Sequence, residues 1–451
     1  MKSEMKNCKK CQNDFELDSN DLGFYEKMKV PAPNVCPDCR FKMRAMWRNE
    51  MTLYSGRKCG MCNKGILSMY NPKSPYAIYC YECFYSEKWS PKDYAMDYDR
   101  SRPFFDQMEE FLISVPKINL GISSADGQNV NSEYVNMASG CKNCYLVFNT
   151  SPAEELLYSR GAKKALDSSD IYFGVSFERC YECINIHESA SVVSGQNITS
   201  CVDSMFILNG SGLTNCFGCV NLKNKSKCFF NEQLSLEEYL EKINEIKGSY
   251  SKMEEAREKF NLLSKTLPKR ENNNLKTVDS TGDYLTECRN VKNSFEVAKS
   301  ENCKYLFSSK GLKDSIGTIG YGTGGEQLLE VVATGYSSKV IGSYWAENSN
   351  DIMYSFDIRN CHDCVGCDAL KNGKYSIFNK EYSKEEYEEL KNHIVNELTE
   401  KGIHGLMMPP ELAPFAYNET IAQDNLPLTK EEALAQGFRW EDDIQMTTGR
   451  E

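Results

Sequence analysis

The chain has 451 residues, of which 41% are hydrophobic and 26% are charged, and its formal net charge is −11. This composition is ordinary for a globular protein, and the length predicts about three domains. The negative charge disfavours nucleic acid and acidic membrane surfaces as partners of the whole molecule. However, residues 1–64 hold 13 Lys/Arg and 8 Asp/Glu, a net charge of +5, which leaves −16 on the remainder.

No targeting or membrane segment is recognisable in the sequence. Residues 1–11 are polar and rich in lysine, unlike a signal peptide, and no run of about 18 apolar residues predicts a transmembrane helix. We therefore expect a cytoplasmic protein without membrane contacts. In a reducing compartment, the 21 cysteines are expected to be metal ligands, redox motifs or free thiols rather than disulfides.

Eight cysteines form four CxxC pairs near the start of the chain: Cys8/Cys11, Cys36/Cys39, Cys59/Cys62 and Cys80/Cys83. Each pair can direct two thiolates at one ion, and zinc takes four such ligands. We predict two structural Zn²⁺ ions within residues 1–95, one held by the first two pairs and one by the last two. The pairs could instead interleave, and free thiols or a redox motif are the alternatives. Catalytic zinc is disfavoured because this segment has no histidine.

The two zinc sites have different predicted folds. The pair Cys36/Cys39 leads into the helix-forming residues 40–48, which predicts a treble clef with the knuckle at a helix N-terminus. The pair Cys80/Cys83 follows the strand-like residues 76–79, which predicts a zinc ribbon.

Three arginines recur every four residues along the predicted helix, at Arg40, Arg44 and Arg48, with Trp47 beside them. On a helix this spacing gives one basic face. The four residues are therefore candidate contacts to nucleic acid or a ribonucleoprotein, with the arginines on phosphates and the tryptophan on a base. The alternative is that the arginines only offset the charge of about −2 on a zinc ion bound by four thiolates.

An internal duplication is visible at an offset of 148 residues. The matched positions are Cys216, Cys219, Leu222, Lys223, Asn224, Asn231, Ser235, Glu237, Glu238 and Tyr239 with Cys364, Cys367, Leu370, Lys371, Asn372, Asn379, Ser383, Glu385, Glu386 and Tyr387. Within each unit, short strand-like segments alternate with polar turns at irregular steps of roughly 10–25 residues. This pattern favours a parallel β-helix or related solenoid over a β-sandwich or barrel.

The predicted fold is therefore mainly β with helical caps. Its segments are a tandem zinc-finger module (1–95), a linking helix (96–119), a first β-solenoid unit (120–265), a polar linker (266–281), a second β-solenoid unit (282–401) and an extended C-terminal arm with a short helix (402–451). Capping boxes at Ser235/Glu238, Ser251/Glu254 and Ser383/Glu386 predict helices that cover the ends of the units.

Other motifs give weaker indications. Cys361, His362, Cys364 and Cys367 are the best local candidate for a further metal site, although we interpret the cysteines of the repeats as small buried side chains. Gly320, Gly322 and Gly325 match a dinucleotide fingerprint by letter but lack its βαβ context, so we interpret them as a turn. His187 and Glu188 fit either a catalytic site of a carbohydrate-active β-helix enzyme or an exposed turn.

The order of these parts resembles a family of uncharacterised microbial proteins with N-terminal CxxC knuckles and a repeated cysteine-rich unit. The resemblance rests on residues 36–40, 364–387 and 414–420. It implies the architecture given above but no activity. The first unit departs from the pattern, since Glu232 and Leu236 stand where the second unit has Lys380 and Lys384.

The leading hypothesis is a non-catalytic protein whose zinc module contacts nucleic acid or a ribonucleoprotein and whose acidic solenoid body binds a protein partner. The first alternative is a pure protein-interaction scaffold with structural zinc. The second is a carbohydrate-active β-helix enzyme, although no clear catalytic constellation is present.

Overall fold

The computed structural model describes residues 3–122, 127–320 and 323–445. The chain forms two compact units, Met1–Asn119 with Asn272–Glu451, and Leu120–Glu271. We call them the main unit and the inserted unit. The predicted zinc module, second repeat and C-terminal arm therefore belong to one compact body. No helix in the described ranges is long and apolar enough to cross a membrane.

The inserted unit is built on one sheet whose strands pair in parallel, apart from a closing antiparallel pair. Its strands are Val135–Ala138, Cys141–Lys142, Tyr145–Thr150, Ala153–Lys163, Ala165–Glu178, Tyr181–Thr199, Val202–Leu208, Phe217–Val220, Cys228–Phe229 and Glu232–Gln233. Two helices follow, Leu236–Ile246 and Tyr250–Thr266.

A three-residue period runs through this sheet. Every third residue from Glu155 to Phe230 has a positive φ, so the chain bends at each of these positions. Paired residues stand twelve positions apart, as in Leu157 with Ser169 and Ser169 with Tyr181. A flat strand would bury alternate residues, but here every third residue faces inward. The irregular steps predicted from the sequence are in fact a constant step of twelve residues.

The interior of the inserted unit is lined by small and medium apolar side chains, including Leu156, Ile171, Ile186, Ile198 and Leu213. All eight cysteines of the unit belong to this core. Buried serines satisfy the backbone between them. The hydroxyl of Ser168, for example, accepts the N–H of Cys180 at 3.0 Å and donates to the carbonyl of Leu166 at 2.8 Å.

The main unit contains a second, larger sheet of the same kind. Its strands are Gly282–Thr286, Arg289–Lys292, Ser294–Ala298, Glu301–Lys304, Phe307–Lys310, Lys313–Ile319, Glu326–Gly335, Ser338–Ile341, Tyr344–Glu347, Asn350–Met353, Phe356–Arg359, His362–Val365, Lys374–Ile377 and Lys380–Glu381. Among the described strands of this sheet, the last pair is antiparallel and the others are parallel.

The glycine-rich segment shifts the register of this second sheet. The strand pairs that precede it are twelve apart, as in Phe307 with Ile319, whereas Lys313 pairs with Glu326, thirteen residues on. The segment therefore contains one residue more than the twelve-residue step. Gly322 lies outside the described residues. The interpretation of this motif as a turn fits the shift, because no strand–loop–helix unit surrounds it in the described part of the chain.

The remaining elements of the main unit lie before and after the second sheet. Those before it are the strands Glu4–Asn7, Asp14–Leu17, Tyr54–Lys58, Gly65–Ser68, Ile78–Tyr79 and Lys117–Ile118, the helices Ser19–Met28, Pro37–Ala45, Tyr81–Phe84 and Phe104–Ser114, and the 3₁₀ turn Pro91–Tyr94. Those after it are the helices Lys384–Glu400, Ile421–Asn425 and Lys430–Ala435 and the 3₁₀ turns Pro410–Leu412 and Tyr417–Glu419.

The duplicated asparagine closes each sheet in the same way. The side chain of Asn231 accepts the N–H of Val220 at 2.8 Å and donates to its carbonyl at 3.0 Å. Asn379 makes the same two bonds to Asp368, at 3.0 and 2.8 Å. A helix with a complete capping box follows in both units, at Ser235 and Ser383. The 148-residue offset is thus a repeated device for ending a sheet.

The linking segment contains a helix as predicted, Phe104–Ser114, on which the ring of Phe104 stacks against Phe378 at 5.3 Å. Two other predicted segments differ in the structure. The C-terminal segment is not an extended arm, since its 3₁₀ turns and helices bury Phe415, Tyr417 and Ile421. The helix assigned to the box at Ser251 is capped by Ser249 instead.

We expect Ile186→Ala to destabilise the inserted unit by about 2–5 kcal/mol, because it removes methyl groups from a fully buried position. Ile184 lies two residues away but is 43% exposed, so Ile184→Ala should cost about 0.5 kcal/mol or less. Urea unfolding followed by circular dichroism measures both. Equal losses would contradict the three-residue period.

Candidate metal centres

The first cysteine cluster joins a hairpin to a helix. Cys8 and Cys11 lie between the strands Glu4–Asn7 and Asp14–Leu17, and Cys36 is the N-cap of the helix Pro37–Ala45. The thiols of Cys8, Cys11, Cys36 and Cys39 all lie within 4.8 Å of one another. Cys11 and Cys36 have their sulfurs 3.6 Å apart, close to the roughly 3.8 Å expected between ligands of a tetrahedral zinc site with 2.3 Å bonds.

The second cluster repeats this geometry. Cys59 and Cys62 lie between the strands Tyr54–Lys58 and Gly65–Ser68, and Cys80 is the N-cap of the helix Tyr81–Phe84. The four thiols of Cys59, Cys62, Cys80 and Cys83 again lie within 4.8 Å of one another. The pairs thus combine in sequence order, and the interleaved alternative is wrong.

The prediction of a zinc ribbon for the second cluster is also wrong. A ribbon would take both cysteine pairs from hairpin turns, whereas Cys80 opens a helix with the same extended backbone as Cys36, with φ of −65° in both. The turns match as well, since Gln12 and Asn63 have φ of 62° and 60°. The two sites are structural copies of one another.

Backbone amides prepare one thiol in each cluster for ionisation. The sulfur of Cys8 accepts the N–H of Cys36 at 3.2 Å, and that of Cys59 accepts the N–H of Cys80 at 3.3 Å. Burial opposes ionisation, but backbone N–H groups lower the pKa of both thiols to about 6. Such N–H donors stabilise thiolates. The two four-cysteine sets are therefore compatible with two structural metal ions.

The cysteines of the repeats form no further metal cluster among the described residues. The thiols of Cys361 and Cys367 donate to the carbonyls of Leu370 and Ser376, at 3.4 and 3.5 Å. The thiol of Cys364 donates to the backbone carbonyl of His362. The ring of His362 instead contacts Asp363 at 3.2 Å. The candidate site at Cys361, His362, Cys364 and Cys367 is thus not assembled.

The predicted nucleic-acid stripe is buried. Arg40 and Arg44 are each 1% exposed, Arg48 is 4% exposed and Trp47 is 0% exposed. These side chains lie between the helix Pro37–Ala45 and the second sheet, so they are not available to phosphates or bases. The assignment of Arg40, Arg44, Trp47 and Arg48 as nucleic-acid contacts is therefore wrong, because helix periodicity reveals a face but not what covers it.

Two of the arginines meet a single carboxylate. Arg40 donates to Glu330 at 3.0 Å and to the hydroxyl of Tyr25 at 2.8 Å, and Arg44 pairs with the other oxygen of Glu330. Burial opposes the charge on Arg40, but Tyr25 and Glu330 raise its pKa. Burial, aided by repulsion from Arg40, lowers the pKa of Arg44. The third arginine, Arg48, pairs with Glu50.

Two glycines of the sheet make room for these guanidinium groups. A methyl group on Gly317 would lie 2.7 Å from a Glu330 oxygen and 2.8 Å from an Arg44 nitrogen. A methyl group on Gly320 would overlap the guanidinium of Arg48. Both glycines have positive φ, of 67° and 94°. Sequence analysis missed this role, since the partners are more than 250 residues apart.

Aromatic contacts complete the docking of the helix. The rings of Phe41 and Phe307 meet edge to face at 5.9 Å, and those of Trp47 and Phe356 lie 6.1 Å apart. The indole N–H of Trp47 donates to the carbonyl of Met408 at 3.3 Å. The first cysteine cluster is thus fixed on the second sheet by charge, packing and shape.

The proposed carbohydrate-active pair is not arranged for acid–base chemistry. The ring of His187 bonds to the side chain of Asn185 at 2.9 Å, and burial lowers its pKa. Glu188 is exposed at a bend of the sheet. His187 therefore belongs to the row of side chains that stacks along the sheet.

Comparison of the sequence with protein-family models and with curated proteins gave no match. The proposals below therefore rest on the geometry of the chain itself.

We expect Glu330→Gln to destabilise the protein by about 3–5 kcal/mol, because it leaves two buried arginines without a counter-charge. Glu326→Gln provides the matched control, since Glu326 lies on the same strand but is exposed. Thermal and urea unfolding measure the difference. If the two variants are equally stable, the buried charge cluster does not hold the helix on the sheet.

Proposed function

We propose that this chain is a non-catalytic scaffold, in which two structural zinc ions stabilise the main unit and the sheets form rigid surfaces for a protein partner. The observation on which the proposal rests is the docking of the first cluster's helix. Its arginines are used inside the fold, as expected of a structural module rather than a nucleic-acid reader. Nucleic acid remains a predicted partner of residues 1–95, but the buried arginines no longer support this prediction.

Each cluster is proposed to be a treble-clef zinc site. Four thiolates, a hairpin knuckle and a helix N-terminus fit a closed tetrahedral site without a position for substrate. Since structural zinc contributes its binding free energy to folding, the ions would fix the two hairpins and two helices that cover one side of the second sheet.

Both sheets are proposed to be four-sided β-solenoids. Bends at every third residue and a register of twelve support this architecture, because four three-residue sides return the chain to its starting point one layer further along. In parallel layers of this kind, equivalent residues of successive layers form rows on the outer faces. A rigid outer face with rows of chosen side chains suits a binding scaffold.

One row of the inserted unit supports the choice of a protein partner. Residues twelve apart along it include Tyr145, Leu157, Tyr181, Met205 and Phe217. Leu157 is 39% exposed and Tyr181 is 46% exposed, whereas Phe217 belongs to an apolar cluster with the two helices of this unit. The chain's own helices thus cover one end of the row and leave the other end open.

The contacts at the covered end of this row indicate which kind of partner fits its open end. Phe260 of the helix Tyr250–Thr266 stacks on Phe206 of the sheet at 5.8 Å, and Arg257 of the same helix pairs with Glu182 at 3.4 Å. The sheet therefore already accepts an amphipathic helix, one of whose arginines pairs with a glutamate of the sheet. Residues 127–208 hold nine Asp/Glu and five Lys/Arg, so we propose that the partner presents a helix with basic residues.

The zinc assignment predicts two equivalents of zinc in reduced protein. Cys39→Ser should lose about one equivalent because a structural site needs all four ligands. Cys201→Ser should retain both, since Cys201 lies in the core of the inserted unit. Elemental analysis by mass spectrometry measures the ratio. Far less than two equivalents in the unaltered protein would contradict the assignment.

The scaffold proposal predicts a protein partner that binds through the open end of the row in the inserted unit. Tyr181→Ser should reduce recovery of that partner about tenfold in native copurification, because a central tyrosine is a typical interface anchor. Tyr336→Ser, at a 68% exposed tyrosine of the main unit, should leave recovery unchanged. Quantitative mass spectrometry compares the two. Identical partner profiles would contradict the proposed surface.

A further inference from the structure

A small groove lies beside the second cysteine cluster. It has a volume of about 270 Å³ and is formed by residues 84–87 and 89–92 together with Leu370 and Lys371 at the end of the second sheet. The rings of Phe84, Tyr85 and Trp89 line it. None of the roles described above uses this groove.

The aromatic wall is held in place by its own contacts. The indole N–H of Trp89 donates to the carbonyl of Phe84 at 3.0 Å, and its ring lies 5.3 Å from the Phe84 ring. The ring of Tyr79 meets Trp89 edge to face at 5.4 Å. Tyr85 and Trp89 remain partly exposed. A ligand ring can therefore stack there without first ordering the wall, which favours binding.

An exposed lysine stands next to this wall. The ammonium group of Lys371 lies 4.8 Å from the centre of the Tyr85 ring, and no carboxylate of the described residues is within 4 Å of it. The Arg359 guanidinium lies 5.3 Å from the same ring. Although Lys371 is exposed, partial desolvation beside the Tyr85 ring and repulsion from Arg359 lower its pKa, and attraction from Asp357 opposes this shift. An anion at this point would relieve that repulsion.

Arg359 is already paired, whereas Lys371 has no ion pair among the residues that the structure describes. The guanidinium of Arg359 lies 3.6 Å from Glu347 and 3.5 Å from Asp357. Lys92, at the other side of the groove, pairs with Glu381 at 3.2 Å. Glu87 also lines the groove and limits how much negative charge it can accept. The groove thus suits a ligand with one anionic group and one flat ring.

We propose that this groove binds a single nucleotide unit, with the base against the aromatic wall and the phosphate at Lys371. Aromatic stacking next to a cation is the general mode by which proteins hold unpaired nucleotides. The groove's volume of about 270 Å³ lies just below the usual range for ligand sites, so it has room for no more than one unit. The net charge of −11 disfavours a long phosphate track. This inference goes beyond the scaffold role and does not depend on it.

The test is a fluorescence titration of the zinc-loaded full-length protein at about 50 mM salt. The ligands are AMP, UMP, adenosine, inorganic phosphate and short single-stranded homo-oligonucleotides. We expect saturable quenching by nucleotides that Trp89→Phe removes, and weaker binding of adenosine and of phosphate, since each engages half of the groove. Lys371→Gln should weaken nucleotide binding about tenfold because it removes a charge-assisted contact. Glu87→Gln should strengthen it.

The duplication supplies the matched control. Lys223 holds the repeat position equivalent to Lys371 and is also exposed, so Lys223→Gln removes the same charge from the inserted unit and should leave binding unchanged. Binding of mononucleotides would identify a free nucleotide as the ligand, and binding of oligonucleotides alone would identify a strand. Absence of binding to all of them, or equal effects of Lys371→Gln and Lys223→Gln, would overturn the proposal. Neither result would alter the zinc content or the partner profile, which depend on other residues.

Discussion

A positive φ at every third residue is the constraint on which both sheets depend. Non-glycine residues at such angles cost about 1 kcal/mol or more each, so dozens of bends must be offset by contacts between layers. Asparagines supply part of this compensation, because they tolerate the left-handed region and also stack. The amide of Asn185 donates to Asn197 at 3.0 Å, and that of Asn197 donates to Asn209 at 3.1 Å. The bends and the rows therefore stabilise each other, and neither would persist in a single layer.

The parts of the fold that could be predicted from the sequence are those that depend on local signals. Local signals succeeded, since the CxxC spacing predicted both thiol clusters and the serine–glutamate boxes predicted the helices at Ser235 and Ser383. The three-residue period was missed because the usual search compares periods of 2 and 3.6, and because the bends are made by many residue types besides glycine. Phe173 and Glu182, for example, occupy bends that no turn rule would assign.

Long-range pairing sets the limit of such predictions at the candidate site. A row of arginines on a helix looks the same whether it faces solvent or a carboxylate. Here Glu330 lies 290 residues after Arg40, in a strand that otherwise appears as a continuous apolar run. The signal that was available is the pair Gly317 and Gly320, whose positions make sense only once large side chains cross above them. Glycines at the bends of a stacked sheet therefore indicate sites where another part of the chain approaches the sheet closely.

The two units differ in how completely their apolar outer faces are covered. A sheet face with apolar rows must be covered, and the main unit covers its own with the helices Pro37–Ala45 and Phe104–Ser114 and with the C-terminal segment. Among its described residues, the inserted unit has two helices for this purpose, and they reach one end of the face. Since the repeats share one plan, the residual exposure of Leu157 and Tyr181 is a difference in covering segments rather than in the sheet. A duplicated fold in which one copy carries its own cover and the other remains partly open leaves an apolar surface exposed without weakening the covered copy, which is what the proposed scaffold role requires.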